Sequence, residues 1–331
     1  MDLENLPDLD GWLPIRIDWK QDPPAVDWCH VGKARFTDSF FEQTIEKCLR
    51  HPFNLIFRRY TSLEGLAEWQ TIRPGLLPSG FIFHMSRCGS TLIAQMLAAL
   101  PQNIVISEAP PIDGILRGKN ASEDEKIAWL RGMLNAFAQP RNGNEKHFFV
   151  KFDSWHTFDL ALVRRAFPDV PWIFLYRDPL EVMASQMKRR AIHLVPGLVE
   201  LTGLELLSAA QMPAEEYCAR VLSSLCATAR DQLRIGGGRA VNYTELPGAV
   251  CTSLREFFHL DCTAAELDQM RHVTQFDAKS PSLFFDANAA AKNTALTPLS
   301  HEMSARWLDP VYAELEALRK AQDGTQLKMA S

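Results

Sequence analysis

Two loops of this 331-residue chain combine residue types that suit the capture of a phosphate-like anion. The first is His84-Met-Ser-Arg-Cys-Gly-Ser-Thr-Leu92. Cys88, Gly89, Ser90 and Thr91 are small enough for successive backbone N–H groups to turn inward as a nest, where a helix amino end adds about half a positive charge. Arg87 and two hydroxyls can supply charge-assisted hydrogen bonds. Standing alone, the segment reads equally well as a tight turn capped by Ser90. It is not a triphosphate loop of the type G-x-x-x-x-G-K-[ST], because aligning Gly89 with the second glycine puts His84 at the first and Ser90 at the lysine. The second loop is Leu175-Tyr-Arg-Asp-Pro-Leu-Glu-Val-Met-Ala-Ser-Gln186. Arg177 leaves a strand with a planar fork matched to phosphate oxygens, and Ser185, two turns into the next helix, can meet the same group. The plainer reading pairs Arg177 with Asp178 or Glu181.

These loops need a scaffold that delivers both to one edge. Apolar runs at Phe81–Met85, Ile104–Ile106, His147–Phe152, Pro171–Tyr176 and Arg239–Tyr243 read as strands, with helical periodicity between them. Helices are expected over about 90–99, 157–167, 180–190 and 213–233, and Ser122-Glu-Asp-Glu125 is a capping box opening another. The strand at 171–176 is the most apolar and suits the middle of the sheet. Such alternation with right-handed crossovers predicts an α/β fold with a doubly wound parallel sheet, followed by a mostly helical C-terminal part over about 248–322. Ligands of such sheets collect at the carboxyl ends of the strands, where both loops sit. Five prolines and four tryptophans break up the first 70 residues, and Thr71–Gly80 carries turn chemistry. We therefore divide the chain into a small N-terminal appendage of unassigned role, 1–75, and an α/β domain, 76–331.

Composition narrows the function. With 35 basic against 40 acidic side chains, net −5, a whole-surface grip on nucleic acid is not expected. Seven scattered cysteines without a C-x-x-C pair suggest neither a disulfide framework nor a zinc site. The acidic amino terminus lacks a signal-peptide layout and no long apolar run occurs, so a cytoplasmic protein without a membrane span is expected.

Taken together, the motifs resemble those of the sulfotransferase superfamily, which has a P-loop NTPase-like fold and uses 3'-phosphoadenosine 5'-phosphosulfate. Ser86-Arg-Cys-Gly-Ser-Thr-Leu92 is similar to the family's 5'-phosphosulfate loop, and Tyr176–Ser185 to its 3'-phosphate segment, with an arginine and a serine eight positions later. Val241-Asn-Tyr-Thr-Glu-Leu246 looks like its tyrosine-acidic-leucine element near the adenine. The likeness spans about residues 80–250 and is closer to the tyrosylprotein and bacterial pattern than to the cytosolic phenol branch. It implies donor binding by Arg87, Cys88, Gly89, Ser90, Thr91, Arg177, Ser185 and Tyr243, and catalysis by Arg87, Glu108 and Lys151 without a metal. Lys151 stands where the family carries a lysine at the donor. Glu108 stands where the tyrosylprotein branch has its base; the phenol branch has a histidine at the position of Asp153, and Asp153 and His156 are reserves. No counterpart of the closing Arg-Lys-Gly element is evident, with Lys279 and Lys292 as substitutes. Segments 190–212 and 274–298 read as loops over a small acceptor, hydrophobic in character, while oligomeric state stays open. Two other readings stand beside this one: a P-loop-type nucleotide kinase or phosphotransferase, and a non-catalytic nucleotide-binding protein.

Overall fold

The structure is a computed structural model, and it describes residues 8–118, 121–199, 206–284 and 296–329. Its centre is a five-stranded, wholly parallel sheet, the second in chain order of three sheets among the described residues. The N-terminal sheet contains β1 (Trp12–Asp18), β2 (Ala25–His30) and β3 (Arg59–Ser62), all antiparallel. The central sheet contains β4 (Pro78–His84), β5 (Asn103–Ser107), β6 (His147–Lys151), β7 (Trp172–Tyr176) and β8 (Gly238–Asn242), in the order β5-β6-β4-β7-β8. The α/β, doubly wound expectation holds. The strand at 172–176 is not the middle one: β4 is, with β7 beside it. Apolarity reports burial on both faces, which all five residues of β7 show, and says nothing of rank within a sheet.

This order places the carboxyl ends of β4 and β7 side by side, His84 opposite Leu175. From β4 the chain turns toward β5 at one edge; from β7 it turns toward β8 at the other. The crevice where neighbouring strands send their chain in opposite directions is the usual ligand position in open α/β sheets. Beneath it the core is aromatic: Phe83 stacks on Phe152 with centroids 4.5 Å apart, and Phe81 meets the same ring edge-on at 5.3 Å.

The appendage shares one continuous core with the α/β domain. Its helix Leu63–Ile72 packs on Glu123–Phe137 so closely that a Cβ at Gly132 would lie 2.9 Å from the Leu66 carbonyl oxygen. The Glu123–Phe137 helix starts with the expected capping box, Ser122 with Glu125. The C-terminal part is less uniformly helical than expected. Two short strands, β9 (Phe276–Asp277) and β10 (Ser280–Phe284), pair as a hairpin. A two-residue strand opposite a proline-containing one is too short to impose a period on the sequence. The long helix Asp309–Met329 completes the region, and the expected helix before β8 is Ala214–Ile235.

Candidate active site

The loop after β4 departs from ordinary backbone. Ser86, Arg87 and Gly89 have φ of 77°, 52° and 90°. Only glycine adopts this region without cost, so the first two positions store strain that the surroundings must hold. The holding contacts are visible. Gln186 donates to the Ser86 hydroxyl at 3.0 Å, Met85 N–H donates to Leu175 O at 3.0 Å, and the Cys88 thiol donates to the same carbonyl at 3.2 Å. The Leu92 and Ile93 amides both donate to Gly89 O, so the helix Ser90–Ala99 begins at once and its first-turn N–H groups open toward the loop. Burial pushes the Cys88 thiol up to about 12, which makes it a packing donor and not a nucleophile.

The β7 loop meets this turn through Tyr243, just past β8. A Cβ at Gly89 would sit 2.9 Å from Tyr243 Cδ2, and the Arg177 guanidinium lies over the same ring, 4.0 Å from its centroid. One ring therefore touches both anion-loop candidates. The C-terminal helix fixes it indirectly, since the neighbouring Asn242 donates to Tyr312 Oη at 3.1 Å and to Glu316 at 2.8 Å. Arg177 Nε pairs with Glu181, the plainer expectation. Ser185 is half-buried on the same helix, Pro179–Lys188, and no hydrogen bond joins it to Arg177 among the described residues. Ser90 and Thr91 are buried in the first helical turn. Arg87 is half-buried, with Nη2 donating to Arg189 O at 2.7 Å. Burial, reinforced by Arg189, lowers its pKa.

Beside these loops, at the ends of β5 and β6, lies a compact set of charges. Lys151 is fully buried and ion-paired with Glu108, whose backbone is also left-handed at φ 53°. The Ser86 amide donates to His84 Nδ1 at 3.0 Å, so the neutral ring carries its proton on Nε2, which faces Glu108 Oε1 at 3.5 Å. Burial works to raise the Glu108 pKa, but Lys151 and His84 together outweigh it and hold the carboxylate well below its usual range. Asp153 behaves oppositely. Burial, aided by the charge on Glu108, pushes its pKa up to about 7 against the pull of His156 and Lys151. His156 is occupied structurally: its Nδ1 accepts from the Asp153 amide at 3.3 Å and its Nε2 faces Asp113 Oδ1 at 2.8 Å.

Several participants carried no signal in the sequence. In the sequence, His84 stands out only as a misfit to the triphosphate pattern. His193, buried on a short 3-10 turn within 3.3 Å of the Ser154 hydroxyl, is pushed down to about 3, first by burial and then by His84. Phe40, from the appendage, places its ring 5.4 Å from the Lys151 ammonium. Ser39 beside it donates to Ala278 O at 2.7 Å, tying the appendage to the β9–β10 turn that carries Lys279. The Lys279 pKa is lowered by desolvation and then by repulsion from Arg87 and Lys151, which places this lysine at the same rim. Lys292 and residues 200–205 of the expected acceptor loops lie outside the described residues. Among the described residues no three His, Cys, Asp or Glu side chains form a metal-binding group, and no helix is long and apolar enough to cross a membrane.

No protein-family profile matches the chain, and no curated protein matches it. Solved structures do. Sulfotransferases are among the solved folds that it resembles. Sulfotransferase STF9 from Mycobacterium avium is 12% identical with TM-score 0.43, covering 74% of this chain and 81% of that one. A sulfotransferase from Alicyclobacillus acidocaldarius is 18% identical with TM-score 0.40, covering 74% and 96%. Mouse sulfotransferase SULT7A1, complexed with PAP, is 11% identical with TM-score 0.43, covering 78% and 96%.

Proposed function

We propose that the protein is a sulfotransferase that moves a sulfuryl group from 3'-phosphoadenosine 5'-phosphosulfate to a hydroxyl or amine of a small acceptor. The observation that carries this reading is the single Tyr243 ring resting on both Gly89 and Arg177. It brings two turns that lie 88 positions apart in the chain to one rim, and in this reading a single nucleotide spans them. The 5' end takes the strained turn of Arg87, Cys88, Gly89, Ser90 and Thr91; the 3'-phosphate takes Arg177 with Ser185; Tyr243 is the platform between them. Both key cations are held by carboxylates, Lys151 by Glu108 and Arg177 by Glu181. Donor phosphates displace these stand-ins.

In the reaction the bond from sulfur to the bridging oxygen of the donor breaks as the acceptor oxygen or nitrogen bonds to sulfur. The bridging electrons stay on the departing nucleotide, where Lys151 and Arg87 meet the growing charge, and the acceptor proton passes to a base. Alignment and leaving-group charge are the protein's main tasks. Once Lys151 turns to the donor, Glu108 is released to accept that proton. A second reading of the base rests on Asp153, whose pKa near 7 matches a general base operating at neutral pH. The phosphotransferase reading is weaker, because the β4 loop offers Ser90 where a lysine is needed and β7 delivers arginine before Asp178.

Isothermal titration separates these readings. The desulfated nucleotide, 3'-phosphoadenosine 5'-phosphate, is expected to bind well ahead of ATP with magnesium, and radiolabelled sulfuryl transfer is expected with at least one alcohol, phenol or amine in a panel. Preference for magnesium ATP would favour a kinase. Binding without any transfer would favour a carrier.

A further inference from the structure

The helix Pro52–Ile56 in the appendage is inside out. Its one polar side chain, Asn54, is 3% exposed, while Leu55 and Ile56 are 70% and 73% exposed. Phe53, Phe57 and Tyr60 continue the apolar surface. Ordinary surface helices show the reverse, polar side outward. Nor is this a frayed turn. Asn54 Nδ2 donates to His30 O at 2.8 Å and Cys48 O at 2.9 Å, and its Oδ1 accepts the His30 amide at 2.9 Å, so two hydrogen bonds clamp the helix to β2 and a third to the helix Phe41–Leu49, with its apolar side facing solvent. His51 caps its start, and the Phe53 ring packs against Phe57 and His30. A fold that spends its polar residue on anchoring and displays Leu, Ile and Phe has built an apolar tip.

The flanks of that tip are basic. From Lys47 to Tyr60 the chain contains Lys47, Arg50, Arg58 and Arg59, with His51, and no acidic residue, in a protein whose net charge is −5. Arg16 and Arg58 converge on the single buried carboxylate of Asp27, at 3.0 and 2.6 Å, which leaves one of their two charges uncompensated. Arg50 is only loosely paired, 4.0 Å from Glu46. Five partly exposed apolar side chains fall short of the roughly 20–30 residues a side of a standard protein interface. They suffice for a shallow wedge in the headgroup region of a bilayer, where cations at the rim meet lipid phosphates.

We propose that the Phe53–Phe57 tip docks the protein on anionic membrane surfaces, with Leu55, Ile56 and Phe57 entering the lipid and Arg50, Arg58 and Arg59 facing the headgroups. The contact is peripheral and reversible, and it is independent of the proposed chemistry at the sheet's carboxyl edge.

Flotation with vesicles tests it. Full-length protein is expected to float with phosphatidylcholine vesicles containing 30% phosphatidylglycerol at least tenfold better than with phosphatidylcholine alone, and several-fold less in 0.5 M salt. Ile56→Asp is expected to lower binding tenfold or more, and Arg50→Glu a few-fold. Both side chains are exposed, so circular dichroism should show unchanged folding; the salt series on the unaltered protein tests the idea even if a variant misfolds. Failure to float with either vesicle overturns the proposal, as does equal binding to both. It is also overturned if sedimentation shows a dimer that Ile56→Asp splits into monomers, which would make the tip an interface between copies.

Discussion

The two halves of the candidate site are held in place by different physics. At the ends of β4 and β7 the loops are tied by backbone and neutral contacts, Met85 and Cys88 to Leu175 and Gln186 to Ser86, while the cation Arg177 sits at the partly open periphery. Around the ends of β5 and β6 ionisable groups are the structure: the buried Lys151 is paired with the half-buried Glu108, which faces the neutral His84 ring, with Asp153 and the neutral His193 buried nearby. The difference teaches how substitutions should behave. In the first half each residue acts nearly alone, because neutral ties do not depend on the ionic group. In the second, removing one charge changes the state of its neighbours, because the low local dielectric couples them.

The sharpest break of that contrast is Lys151→Met. It leaves the half-buried Glu108 without its partner, which is expected to cost about 3 kcal/mol of stability in urea unfolding, the low end for a broken buried pair. It also removes a charge from the leaving group, a loss of about 10²–10³ in kcat. Adding Glu108→Gln is expected to return most of the stability and none of the rate. If the double variant were no more stable than the single one, the coupling described for this half would be wrong.

The choice of base comes next, at about 10²–10⁴ in rate. A general base must be deprotonated, so activity rises with pH through its pKa, and kcat/KM reports the free protein. With Asp153 as base, kcat/KM climbs toward a limb near pH 7 and Asp153→Asn abolishes both limb and activity. With Glu108 as base the profile is flat from pH 5 to 8, since that carboxylate is already ionised, and Glu108→Gln is the damaging change. Stability supplies an independent reading. Asp153 has a raised folded-state pKa, so its favourable contribution is full below pH 4 and is lost as pH rises through 7. Asp153→Asn should therefore raise the melting temperature relative to the unaltered protein at pH 8, the gap closing toward pH 4. For Glu108 the sign is opposite: its contribution holds above about pH 4.5 and is lost as acid protonates it.

The same contrast explains what the sequence disclosed. Gly89 and its small neighbours, and an arginine leaving an apolar strand, announce themselves locally because strand, turn and helix are contiguous there. The five core strands and the Ser122 capping box were legible for the same reason. His84, His193 and Phe40 were not, since each acquires meaning only from what the fold sets against it: Glu108, the Ser154 hydroxyl and the Lys151 ammonium come from distant segments. The β9–β10 hairpin was hidden by its brevity, and with it the nearness of Lys279 to Arg87. A pKa near 7 on Asp153 is likewise a property of burial, which residue type alone does not carry.

In the neutrally tied half the expected losses are smaller and separable. Arg177→Ala should weaken 3'-phosphoadenosine 5'-phosphate by about 2 kcal/mol, roughly 30-fold, with melting temperature nearly unchanged because its partner Glu181 is solvent-exposed. Affinity for adenosine 5'-phosphosulfate, which lacks the 3'-phosphate, should stay within about twofold. Equal losses for the two ligands in titration calorimetry would separate Arg177 from the 3'-phosphate.

The smallest effect tests the tie itself. Gly89 has φ +90°, and a Cβ there would come within 2.9 Å of Tyr243 Cδ2 and 3.0 Å of Leu246 Cδ1. Alanine must then adopt a strained backbone, at a cost of about 1 kcal/mol, while the Tyr243 ring tilts away from the turn. Because the ring also carries the Arg177 guanidinium, a change made beside the 5' loop should reach the 3' end. Titration of Gly89→Ala in the Arg177→Ala background measures that reach. A loss of a few-fold for Gly89→Ala alone, shrinking once Arg177 is gone, is the expected non-additivity of groups sharing one ring. Strict additivity would mean that Tyr243 separates the two anion turns and does not join them.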